Sequence, residues 1–111
     1  MAYDEDLSAR IRALVSTERG VSEKKMFGGL GFLVGGNLAI AASGQGGILV
    51  RVDPDQSDRL VARTKASVAM MRGRPMSGWL RVATADVRTT RQLAPWVDRG
   101  VTFARSLPPK R

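Results

Sequence analysis

KKMFGGLGFLVGGNLAIAASGQGGILVRV, residues 24–52, is apolar, β-branched and punctuated by glycine, and its reading decides the fold. Gly35-Gly36 stands between Phe32-Leu33-Val34 and Leu38-Ala39-Ile40, which is the signature of a two-residue hairpin. Gly44 to Gly47 supplies a second turn into Ile48-Leu49-Val50-Arg51-Val52. Three antiparallel strands in a meander are the simplest account. Gly28, Gly29 and Gly31, just ahead of the first strand, predict a bulge or a close approach of two backbones.

Working outward, the residues before this stretch read as an amphipathic helix. Leu7, Ile11, Leu14 and Val15 share a face, Asp4 or Asp6 can cap its start, and Gly20 is placed to end it. Downstream, Asp53-Pro54 is a helix start, a capping carboxylate followed by proline at the first helical position. That helix runs to Arg63 or Lys65 with Leu60 and Val61 facing inward. Residues 67–72 (SVAMMR) form a fourth strand, residues 72–75 (RGRP) turn the chain, and residues 78–83 (GWLRVA) form the last strand. Leu93, Trp96, Val97, Val101 and Ala104 then recur at helical spacing. Thr89 or Thr90 caps this final helix, Pro95 falls near its first turn, Pro108-Pro109 stops it, and Lys110-Arg111 forms a frayed end. Residues 1–111 therefore read as one α+β domain of order α-β(3)-α-β(2)-α, an antiparallel five-stranded sheet covered by helices. A doubly wound parallel sheet needs a helix between successive strands, and the hairpins leave no room for one.

Composition removes much of enzymology. The 111 residues contain no cysteine and no histidine, which excludes disulfides, thiol catalysis, Ser-His nucleophiles and histidine-ligated metals. No apolar run is long enough to span a membrane, and Asp4, Glu5 and Asp6 are unlike the basic start of a signal peptide, so a cytoplasmic location is expected. Charge is the positive clue. Eighteen basic against ten acidic residues give a net charge of +8, and fourteen of the eighteen are arginine. Residues 1–23 are net negative, whereas residues 59–91 hold eight basic side chains against Asp86 alone. A field of that sign favours polyanions or acidic protein surfaces.

Most motif readings resolve into structure. Gly29-Leu30-Gly31 and Gly44-Gln45-Gly46 each fail to complete a dinucleotide fingerprint, because Val34 and Leu49 stand where its third glycine belongs, and there is no phosphate loop. Asp53, Asp55 and Asp58 crowd a helix start, where free amides and the helix dipole account for them better than a metal does. Trp79 and Trp96 lie among apolar neighbours and read as core rather than as platforms for bases. Met70, Met71 and Met76 suit either an adaptable binding surface or gap-filling under the last helix. One constellation survives as a candidate site for an anionic partner: Arg72 and Arg74 flanking Gly73, with Arg81 and Arg51 on strands that bring them close if they pair. No catalytic residue, cofactor site or metal site is expected.

The ordered set Met26-Phe27-Gly28-Gly29, Gly31-Phe32, Asn37–Ala42, Leu49–Val52, Met76–Val82 (MSGWLRV), Trp96-Val97 and Phe103–Pro108 resembles the N-terminal domain of TfoX/Sxy proteins over nearly the whole chain. That resemblance implies a secretion-chaperone-like α+β fold and a place near regulators of natural competence, which act in transcription. The chain is similar to the N-terminal domain standing alone, without the helical C-terminal domain of the full regulators. The expected function is thus a bacterial, non-catalytic regulatory or interaction domain working through protein–protein contacts, self-association into a homodimer through a strand edge included. The alternative is nucleic-acid binding through the basic surface of residues 59–91.

Overall fold

The computed structural model of the chain describes residues 3–26 and 28–110; Phe27, part of the resemblance run, and Arg111 at the C-terminal end lie outside the described residues. Asp4 caps helix α1 (Glu5–Leu14) by accepting from the Leu7 amide, and Leu7 and Ile11 point into the core. The helix ends at Leu14, well short of Gly20, which instead turns the chain at φ 74° into strand β1 (Val21–Met26). Strands β2 (Gly29–Val34), β3 (Asn37–Ala42) and β4 (Ile48–Arg51) follow. The Gly35-Gly36 turn has φ 58° and 83°, the geometry the hairpin reading requires. Helix α2 (Pro54–Arg63) begins at the Asp53 cap, and β5 (Ser67–Met71) and β6 (Arg74–Val82) form the second hairpin. A short 3₁₀ turn at Thr84–Asp86 leads to α3 (Thr90–Ser106), whose Thr89 and Gln92 form a reciprocal capping box. Pro95 lies in the second turn of α3, one turn later than expected.

The sheet is α+β in class and antiparallel throughout, but it has six strands in the order β1-β2-β3-β4-β6-β5, and the element order is α-β(4)-α-β(2)-α. The expected five strands omitted β1. Its sequence VSEKKM has four consecutive exposed residues, so it lacks the apolar alternation that announces a strand. Charge on such a strand blunts an open sheet edge against unwanted pairing. The second hairpin also turns earlier than expected, at Arg72-Gly73, so that β6 starts at Arg74. Pro75 is accommodated because β4 pairs with β6 only from Trp79 onward, leaving Pro75 a neighbour on one side.

Alternation along the central strands sorts the core into two layers. Ile48, Val50, Leu80 and Val82 join Leu7, Ile11, Leu60, Leu93 and Trp96 from all three helices in the main core. Leu49 and Trp79, between them in sequence, belong to a separate cluster with Leu38, Ala41, Ala69 and Met26 that contains no helical residue. All three helices therefore cover one face of the sheet, and the other face carries its own small apolar cluster without a helical layer.

Candidate functional site

The helix-free face is where chemistry gathers. Arg81 lies opposite Leu49 and Arg51 opposite Trp79 in the β4–β6 ladder, so strand periodicity sends all four side chains to this face. Met26 joins them from β1, over Gly31, where a Cβ would collide with the Met26 sulfur and the tip of Leu38. Lys24, two residues along β1, lies on the same face. The result is an apolar floor rimmed by cations.

Two depressions divide the face. The first, about 670 Å³, is lined by Leu33, Leu38, Met26 and Trp79 with Lys24, Arg51 and Lys110. Arg51 is engaged here, since its guanidinium carbon sits 5.0 Å from the centroid of Trp79 and 5.4 Å from that of Phe103. The second, about 320 Å³, lies at the β3–β4 turn. Ala41, Ala42 and Leu49 form its apolar floor, Met26, Met70 and Met71 its walls, and Ser43, Gln45, Arg72 and Arg81 its polar side chains. No acidic residue lines either depression. A third groove of about 510 Å³ between α1 and α3 carries both signs of charge, Glu18 and Asp98 with Arg91, and selects for neither.

The four arginines of the sequence-based site part company. Arg72 and Arg81 share the smaller cavity, Arg51 lies in the larger depression between two aromatic rings, and Arg74 is exposed at the start of β6 and lines neither. Arg81 donates from Nη1 to the Ser43 hydroxyl at 3.0 Å. The ion pairs among the described residues are Arg12 with Glu23 and Arg105 with Glu18, so none of the four arginines is neutralised by a carboxylate. The remaining cations of residues 59–91 are dispersed over α2, the loop after it, the bend before α3 and the start of α3.

Sequence reasoning did not single out Ser43 or Lys110, and it read Trp79 as core, where it packs half-buried against the smaller of the two clusters. The available signal was the unbroken apolar run Ile48-Leu49-Val50, which in a strand places apolar groups on both faces of the sheet. The glycines had the predicted structural role. A Cβ at Gly29 would strike the Ala42 carbonyl and one at Gly44 the Gly28 carbonyl, so the β1–β2 turn lies directly against the β3–β4 turn at the rim of the smaller cavity.

Compared with known proteins, the chain matches the family description "TfoX N-terminal domain" over residues 13–104. No curated protein and no solved structure gave a significant match.

Proposed function

Because the chain belongs to the TfoX N-terminal domain family, we propose that it is a non-catalytic interaction domain in a regulatory system, and that its helix-free sheet face receives an acidic segment of a protein partner. One observation carries this reading: an apolar cluster of Leu38, Leu49, Met26 and Trp79 is rimmed by Lys24, Arg51 and Lys110 with no acid in the depression. Aromatic and aliphatic anchors in a shallow depression supply affinity, and a single-signed rim steers and selects the partner. Carboxylates are the complementary charge.

Zero-length carbodiimide coupling tests this directly, because it adds no spacer and joins a lysine to a carboxylate in direct contact with it, as in an ion pair. Partner coupled through Lys24 or Lys110 in the unaltered chain, and not coupled in Trp79→Ala, is the expected outcome. Coupling confined to Lys65, on the loop after α2, would overturn it.

A second reading rests on a different observation, that the eight cations of residues 59–91 form no ion pair among the described residues. Free cations of that number suit a phosphate backbone. Fluorescence anisotropy with duplex DNA and single-stranded RNA across a salt series decides it. Micromolar binding that survives physiological salt and is weakened by combined Arg72→Ala and Arg74→Ala supports nucleic acid; binding that disappears with salt, or ignores the substitutions, removes it.

A further inference from the structure

The smaller cavity of the helix-free face holds the cationic donors of Arg72 and Arg81 and no carboxylate to match them. Ser43 is 9% exposed, and its Oγ accepts from Arg81 Nη1 at 3.0 Å and from the Gln45 amide at 3.1 Å. Two accepted bonds occupy both lone pairs of a hydroxyl, so its remaining capacity is its own O–H. Among the described residues nothing accepts that proton. Among the described residues, Arg81 has the Ser43 oxygen as its hydrogen-bond partner and Arg72 shows no hydrogen bond or ion pair. Ser43 is buried, Arg81 half-buried and Arg72 exposed at the rim, and an anion is the group that satisfies donors from all three at once.

The other wall of the cavity is apolar. Leu49 forms the floor, Met26, Met70 and Met71 the sides, and Met70, at 56%, is the large hydrophobic side chain most exposed among the described residues. Unbranched thioethers adapt to a ligand's shape at little cost. A volume of about 320 Å³ matches the small end of ligand pockets and is too small for a folded partner. Backbone geometry adds a further sign. Arg72 is the non-glycine residue with positive φ, 52°, among the described residues, in a two-residue turn that asparagine or glycine would occupy with less strain. Strain of this kind persists where the side chain has work to do.

We infer that this cavity is a binding site for a small organic anion with an apolar tail: a carboxylate or phosphate head takes the Ser43 hydroxyl and the Arg81 and Arg72 guanidiniums, and the tail lies over Leu49 between Met26, Met70 and Met71. The site is separate from the larger depression proposed for the protein partner, with Met26 common to both. Failure of the lysine coupling experiment therefore leaves this one standing.

The methionines report on the site. Octanoate, octyl phosphate and 1-octanol are titrated into the full chain labelled at its methionine methyls and followed by NMR. One of the two anions should shift Met26, Met70 and Met71 while Met76, outside the cavity, stays fixed, and the tighter anion identifies the head group. The neutral alcohol should bind about tenfold more weakly, as loss of charge-assisted hydrogen bonds requires. Arg72→Asn keeps a turn-compatible residue and should weaken the anion by a similar factor, as should Ser43→Ala. Equal affinity for the alcohol, shifts that spare these methionines, or unchanged binding by Arg72→Asn with the fold intact would each overturn the assignment.

Discussion

Arg72 and Gly73 have φ 52° and 77° and close the β5–β6 hairpin in the mirror-image turn that suits the right-handed twist of paired strands. A Cβ in that region crowds the following carbonyl, which costs about 1–2 kcal/mol for a residue without a short polar side chain. Arg72→Asn should therefore raise stability by about 1 kcal/mol in urea unfolding even as it removes a charge from the cavity. A loss of stability would show that the guanidinium supports the fold rather than a ligand. Gly100 makes the opposite case. It faces β3 from the middle of α3, and a Cβ there would run into the Ala39 carbonyl oxygen and carbon. Backbone cannot move aside as a flexible side chain does, so Gly100→Ala should destabilise the domain by about 2–3 kcal/mol, despite alanine's better helix propensity. Thermal melting checks this, and a neutral result would mean that α3 can lift off the sheet without loss.

Edge strands show how far a sequence discloses its elements. The hairpin of β2 and β3, the Asp53-Pro54 helix start and the Thr89 cap are local events, set by residues within a few positions of one another, and each was legible before the structure. Strand β1 was not, because VSEKKM lacks apolar alternation, even though it joins β2 in a hairpin just as tight. It is fixed by pairing with β2 and by Arg12 of α1, which reaches Glu23 with two hydrogen bonds of 2.6 and 2.8 Å. The hydrogen bond from Arg12 holds the Glu23 carboxyl below its ordinary value, against an opposing effect of burial, and the same contact raises Arg12 above its own. A carboxyl lowered in the folded state stabilises above the unfolded value and stops doing so as pH falls through the folded one. The link between β1 and α1 should accordingly weaken below about pH 4.5, the ordinary value for Glu. Amide exchange protection of residues 22–25 should fall there relative to β3. Glu23→Gln should remove that pH dependence, and β1 protection that still tracks pH in this variant would assign the effect to another group. The pair is exposed, so global stability should change little.

At the scale of the whole molecule, one sheet carries two apolar layers, one under the helices and one without helical cover. The helix-side layer was legible because Leu7, Ile11, Leu93 and Val97 recur at helical spacing, and a helix must bury its apolar stripe. The cluster on the other face was hidden, since it depends on which alternate residues of β4 and β6 have no helix above them, and that is set by long-range topology. Arg51 and Arg81 could be guessed as neighbours from strand pairing, but not the rings that hold Arg51 or the serine that holds Arg81. If the helix-free face exists for binding, its residues should contribute less to stability than their size suggests. Leu93 is fully buried, and Leu93→Ala should cost about 2–5 kcal/mol through lost transfer energy and the cavity left behind. Trp79 is only half-buried, and Trp79→Ala should cost about 1–2 kcal/mol, from partial burial and its stacking under Arg51. The same Trp79→Ala chain should nonetheless lose its captured partner, whereas a surface substitution on the helical side, such as Arg59→Ala, should retain it. Paired urea titrations and coupling yields separate stability from docking. A Trp79→Ala loss as large as that of Leu93→Ala would make the helix-free cluster a second structural core, and the docking function would then have to be sought on the helical side.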